Sequence, residues 1–208
     1  MSLSVRRRLC GLAASAACSA VAFGGLAASQ AQASVISFAS CDSSALTQPF
    51  LPWLDANPYK LVPGGDFEGA LTGWSLSGGA GVVAGSEPFG VTGSVGSSSL
   101  SLPAGAAAQS ATTCVDAAYP SFRFVARTDT PGSVLAVSAV YNTLLGPAAV
   151  PVGLVALSGN WAPTLPMLTG SAVGGLLANG AAPLALRFTE LTGTSQIDDV
   201  FVDPHTMH

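Results

Sequence analysis

Phe122-Arg-Phe-Val-Ala-Arg-Thr128, then Pro131-Gly132, then Ser133-Val-Leu-Ala-Val-Ser-Ala-Val-Tyr141 is the stretch on which the fold turns. Both runs are rich in β-branched and aromatic residues, and a Pro-Gly pair punctuates them. They read as two strands joined in a hairpin. No helical period lasts around them, because Gly and Pro interrupt nearly every window. Downstream, residues 150–157 read as a strand, with Pro151 marking an edge or a strand start. Residues 184–191 alternate, setting Arg187 and Thr189 on one face against Leu186 and Phe188. Residues 196–202 close the domain. Upstream, strands are expected at 60–68, 73–76, 98–102 and 108–115. Eight to ten short strands joined by turns make an all-β, antiparallel β-sandwich or barrel. Residues 34–59 form an appended segment. Its Cys41, Phe50, Pro52, Trp53 and Tyr59 can pack against the strands, and a helical turn is expected at 46–54.

The N-terminus reads as an export signal. Arg6, Arg7 and Arg8 form a positive start, residues 9–26 are apolar and Ala-rich, and Ala31-Gln32-Ala33 offers small residues to a signal peptidase. Cleavage is expected after Ala33, giving a secreted, extracellular or cell-surface chain. The run is too poor in Leu for a membrane anchor, and no later run is apolar enough to span a bilayer. Loss of residues 1–33 leaves four cations, Lys60, Arg123, Arg127 and Arg187, against eleven acids, a net charge of −7. Four scattered cations make no phosphate-tracking stripe, which excludes nucleic acid as a partner. Only 9% of residues are charged while 49% are hydrophobic, the opposite of a disordered chain. Cys10 and Cys18 leave with the signal. Cys41 and Cys114 remain, an even pair that reads as one disulfide in an oxidising compartment, worth roughly 4 kcal/mol in the chain-entropy account.

Gly65-Asp66-Phe67-Glu68 followed by Gly73-Trp74 resembles the opening of galactose-binding-like jelly rolls. It is closest to carbohydrate-binding modules of the family 4/9 and 22 type. Ser98-Ser99-Leu100, the strand from Phe122 to Arg127, Trp161 after Ser158-Gly159-Asn160, and Ile197-Asp198-Asp199-Val200-Phe201-Val202 follow in that family's order. The resemblance covers about residues 60–203 and leaves a tail at 204–208. It implies a jelly-roll sandwich and a structural Ca2+ between the first and last strands. Glu68 and Asp198 match the family's ligands, with Asp199 as second choice. Calcium takes six to eight oxygen ligands, so backbone carbonyls would complete the set. The resemblance also makes Trp74 a core residue.

Catalytic chemistry is poorly provided for. The histidines, His205 and His208, lie in the terminal tail, and no Gly-x-Ser-x-Gly elbow occurs. Zinc would need a His/Cys cluster that the chain lacks. Glu68, Glu87, Glu190 and Asp116 could serve a glycosidase in principle, but no pair sits in a recognisable setting. Residues 79–84 nominally fit a dinucleotide fingerprint, yet Gly85, Ser86 and Pro88 preclude the helix it requires. These residues read as a glycine-rich β-loop. Ligand contacts are expected from Tyr119 and Tyr141 at strand ends and from Trp161. The chain therefore reads as a non-enzymatic, secreted binding module for a cell-wall or environmental glycan. The alternative is a structural or surface-interaction protein of the same fold, partnered by a cell-surface protein.

Overall fold

The computed structural model describes residues 45–116, 121–143, 146–169 and 181–204, all within the compact unit Ser37–His208. Thirteen strands occur among them: β1 (Lys60–Leu61), β2 (Ser75–Ser77), β3 (Gly81–Ala84), β4 (Ser98–Pro103), β5 (Ala107–Gln109), β6 (Thr113–Asp116), β7 (Ser121–Thr128), β8 (Val134–Thr143), β9 (Gly146–Ala156), β10 (Ala162–Pro163), β11 (Met167–Leu168), β12 (Ala181–Thr192) and β13 (Thr194–Asp203). They form two antiparallel sheets. The first runs β10-β7-β13-β4-β3, with β1 also on β13 and β11 also on β7. The second runs β2-β5-β12-β8-β9, with β6 also on β12.

Alternation explains which side chains lie between the sheets. From β7, Phe122, Phe124 and Ala126 enter the core, and Leu100, Leu102, Ile197 and Val202 join them from the first sheet. From the second sheet come Leu135, Val137, Ala139, Leu184, Leu186 and Phe188. Burying each large apolar side chain contributes roughly 1.5–3 kcal/mol. Aromatic contacts lock the centre. Phe124 meets Phe188 edge-on at 5.1 Å, and Trp74 stacks on Phe188 at 6.5 Å. Trp74 packs against the core as expected, and its indole N–H donates to the Pro63 carbonyl.

Several expectations change in detail. The strands on either side of Pro131-Gly132 are not a hairpin. β7 pairs with β13 in the first sheet and β8 with β12 in the second. The intervening turn, with Gly132 at φ 80, carries the chain across the sandwich, so both strands can point their apolar faces inward from opposite sides. The span 60–68 is strand only at Lys60–Leu61. Beyond it the chain turns, with Gly64 and Phe67 at positive φ. Gly65 lies so close to the last strand that a Cβ there would stand 2.9 Å from the Val200 carbonyl oxygen. Residues 108–115 break into β5 and β6, because Ser110 takes over the pairing to Leu186 with both its amide and its hydroxyl. Residues 81–84 of the glycine-rich loop are the edge strand β3. The helical turn is a single 3-10 turn at Leu51–Trp53. Very short strands raise the count above eight to ten. Pro151 lies in β9, at the edge of the second sheet, as its ring demands.

Candidate functional site

The two sheets present very different outer faces. On the first, Arg123, Val125 and Arg127 of β7 and Phe201 of β13 point away from the core, and residues 45–59 cover much of this face. Phe50 and Tyr59 are fully buried there against Val125 and Phe201. Phe50 meets Tyr59 edge-on at 5.2 Å and Phe201 at 5.7 Å. Arg123 clamps the cover from beneath. Its Nη1 donates to Asp55 Oδ2 at 2.7 Å, its Nε donates to the Thr164 carbonyl, and its guanidinium lies 4.2 Å from the Phe50 ring centre. Burial pushes the Asp55 carboxyl up, but hydrogen bonds from Tyr59, Arg123 and the Asn57 amide more than offset it and hold it below the usual range. Burial, with the bond to Asp55, pushes the Tyr59 hydroxyl far above its ordinary value.

The outer face of the second sheet has no such cover among the described residues. Register builds it row by row. Ser75, Gln109, Arg187 and Ser138 stand side by side across β2, β5, β12 and β8. Ser77, Ala107, Thr189 and Ala136 form the next row, continued by Leu154 on β9. The rows alternate with Ala108, Phe188 and Val137, which face the core, so their side chains must point outward. The result is a shallow, polar depression of about 460 Å³ over β2, β5 and β12. Arg187 lines it, its Nε and Nη2 donating to Gln109 Oε1 at 3.2 and 2.8 Å. Sequence alternation showed that Arg187 and Thr189 share a face. It could not show that Gln109, 78 residues away, shares it.

The predicted metal residues sit at the end of the sandwich where β13 bulges between Asp198 and Phe201. Glu68 accepts from the Ser97 and Ser98 amides and the Ser97 hydroxyl, which hold its carboxyl below the usual range. Asp198 accepts from the Ser86 hydroxyl and the Glu87 and Asp199 amides. Burial still pushes it up, to about 6. Asp199, at φ 48, is pushed up to about 8 by burial first and then by the charges of Asp198, Glu87 and Asp66. Such a cluster suits a hard cation electrostatically. Its geometry is less apt: among the described residues, no three His, Cys, Asp or Glu side chains are arranged to hold a metal ion. Glu68 in particular spends its oxygens on the 97–98 turn. As placed, Glu68 and Asp198 are hydrogen-bonded anchors of strand ends.

The aromatic candidates do not converge. Tyr141 is only 4% exposed, belongs to the core, and donates its hydroxyl to the Thr169 carbonyl. This corrects its reading as a surface contact: it falls in phase with Leu135, Val137 and Ala139 on β8. Trp161 packs on the covered face of the first sheet, with the Arg127 guanidinium 5.3 Å from its ring centre. Tyr119 lies outside the described residues, as do Cys41, the signal segment 1–33 and His205 and His208. Cys114 stands on β6, opposite Pro183. Of the carboxylates considered for glycosidase chemistry, Glu68, Glu87 and Glu190 are otherwise engaged. Glu87 and Glu190 are fully buried. Glu87 accepts from the Phe89 and Val91 amides, and Glu190 from the Ser133 hydroxyl and the Thr192 amide. Among the described residues, no helix is long and apolar enough to cross a membrane.

No family model matches the sequence, and no curated protein matches it. Solved structures of similar form include the CBM22-1–GH10 modules of Clostridium thermocellum xylanase 10B complexed with xylohexaose. It is 14% identical over 67% of this chain and 27% of that one, with a TM-score of 0.49. The CBM22-1 xylan-binding domain of Paenibacillus barcinonensis Xyn10C is 13% identical over 69% of this chain and 93% of that one, at 0.48. TmCBM61 in complex with β-1,4-galactotriose is 15% identical over 70% and 98%, at 0.42. At these identities and scores the likeness assigns no role to any residue.

Proposed function

We propose that this chain is a secreted, non-catalytic binding module, and that its ligand, a glycan, lies on the open outer face of the second sheet. One observation carries the reading. Of the two outer faces, one is largely covered by residues 45–59 and the other presents a row of hydrogen-bonding side chains across four strands, Ser75, Gln109, Arg187 and Ser138, beside a depression of about 460 Å³. Sugar hydroxyls need such donors and acceptors, and the small neighbours Ser77, Ala107 and Ala136 leave room for a pyranose ring. Few apolar rings line the face, so hydrogen bonding rather than stacking carries affinity, and binding is weak. The engagement of Glu68, Glu87 and Glu190 in structural bonds supports the absence of catalysis. A disulfide between Cys41 and Cys114 and a calcium ion near Asp198 and Asp199 are separate proposals, and the site requires neither.

The test is affinity electrophoresis of the protein through gels containing a panel of soluble polysaccharides. Retardation by at least one polymer, reduced by Gln109→Ala, is the expected result. Uniform mobility across the panel would refute it. A second reading, association with a protein surface, draws on one feature. Leu154 and Leu165 are 67% and 82% exposed and border an apolar groove of about 360 Å³ with Val155, Leu157, Pro163 and Met167. Uniform mobility would move the search there.

A further inference from the structure

Charge divides unevenly between the two sides of the sandwich. Asp55, Asp66, Glu68, Glu87, Asp129, Asp198, Asp199 and Asp203 belong to the first sheet, its cover and its loops. The second sheet carries two acids among the described residues. Glu190 is buried on the core side. Asp116 ends β6 opposite Ala181, six residues from Arg187 along β12, roughly 20 Å at about 3.3 Å per residue. The cations divide differently. Arg123 pairs with Asp55 and Arg127 with Asp129, and Lys60 is buried. Arg187 is exposed, and among the described residues it meets only the neutral amide of Gln109.

That bond fixes the guanidinium in a useful way. Arginine has five N–H donors in a planar fork. Gln109 Oε1 takes the two on the Nε edge. Of the three that remain, two lie along the Nη1–Nη2 end, an edge that grips a carboxylate through two parallel hydrogen bonds. Gln109 thus holds the fork in place before any ligand arrives, which lowers the entropy lost on binding. Ser75, Ser77 and Thr189 line the same depression.

From this we propose that the face selects a glycan bearing carboxylates, a uronic-acid-containing polysaccharide, with Arg187 as the residue that reads the acid. The inference rests on the second-sheet face being the glycan site and adds the class of sugar. The net negative charge of the chain does not oppose it. Eight of the ten described acids belong to the first sheet, its cover and its loops, a layer about 10 Å away across the sandwich; of the other two, Glu190 is buried on the core side and Asp116 stands about 20 Å along β12.

The test compares polygalacturonate and alginate with neutral xylan and mixed-linkage β-glucan in affinity electrophoresis of the full chain. Three proteins are run: wild type, Arg187→Gln and Arg187→Lys. Arg187 is exposed, so the melting temperatures should stay close, and this is checked first. Wild type is expected to be retarded by a uronate polymer, less so in raised salt. Loss of a charged hydrogen-bond donor should weaken binding about tenfold or more in Arg187→Gln. Arg187→Lys keeps the charge but loses the fork, so its binding should fall between the two. Retardation by neutral polymers alone, unchanged in Arg187→Gln, overturns the acid preference and leaves glycan binding standing. Retardation by nothing overturns both.

Discussion

Replacing Arg123 by alanine should destabilise the fold by about 3–5 kcal/mol, because it leaves a buried carboxylate, Asp55, without its counter-charge. The side chains of Arg123 and Asp55 are 4% and 10% exposed, so solvent cannot substitute for the lost partner. The loss has a location. Arg123 ties β7 to both Phe50 and Asp55 of the cover and to Thr164 before β11. Limited proteolysis of the variant should therefore cut first within residues 45–59. Arg123→Met combined with Asp55→Asn should recover much of the stability, since removing both charges removes the penalty. The pair also has a pH signature. The Asp55 carboxyl titrates below its ordinary range in the fold, so its contribution is complete above the unfolded value, near 4. It is lost as pH falls through the lower, folded value. Chemical denaturation of the three proteins checks both points. A double variant as unstable as Arg123→Ala would show that packing of the guanidinium, not charge, holds the cover.

The acidic cluster at the β13 bulge gives the opposite pH trend. Asp199 is pushed up to about 8 and Asp198 to about 6, both above their unfolded value near 4. The folded protein therefore binds these protons more tightly than the unfolded chain. Their stabilising effect is complete below about pH 4 and is lost as pH rises toward 8. In a chelating buffer, the melting temperature should climb as pH is lowered from 8 toward 5. Asp199→Asn should stabilise the protein at pH 8 by on the order of 2 kcal/mol and flatten that climb. Asparagine tolerates the left-handed φ of this position. Calcium, if it is held here, should raise the wild-type melting temperature at pH 8 and raise that of Asp199→Asn less. A wild-type melt independent of both pH and calcium would remove the cluster as a source of strain.

Local pattern and long-range pairing divide what the sequence discloses. Alternation in 184–191 correctly put Arg187 opposite Leu186 and Phe188, because a strand half-buried in a sandwich must sort its side chains by face. Pro151 correctly marked an edge, because its ring removes a ladder donor. The same local reasoning erred at Pro131-Gly132. A Pro-Gly turn is equally at home in a hairpin and in an arch between sheets, and only the distant partners β12 and β13 decide. Tyr141 was legible and misread: it stands two, four and six residues beyond Ala139, Val137 and Leu135, all core residues, and that phase outweighs its place near a strand end. Of the open site, only the shared face of Arg187 and Thr189 was legible. Ser75, Gln109 and Arg187 are ordinary polar residues in the chain and become a row only through the registers of β2, β5 and β12. The cover was half visible in Phe50, Trp53 and Tyr59, but Asp55 and Arg123 meet across 68 residues.

The account's central claim is the place of the ligand, and chemical-shift mapping of the isotope-labelled protein tests it most directly. Titration with whichever polysaccharide retards the protein should move the amide signals of Ser75–Ser77, Ala107–Gln109 and residues 187–189, and leave those of residues 45–59 in place. Shifts centred instead on residues 154–167, or on Trp53 and Phe89 at the rim of the cover, would contradict it.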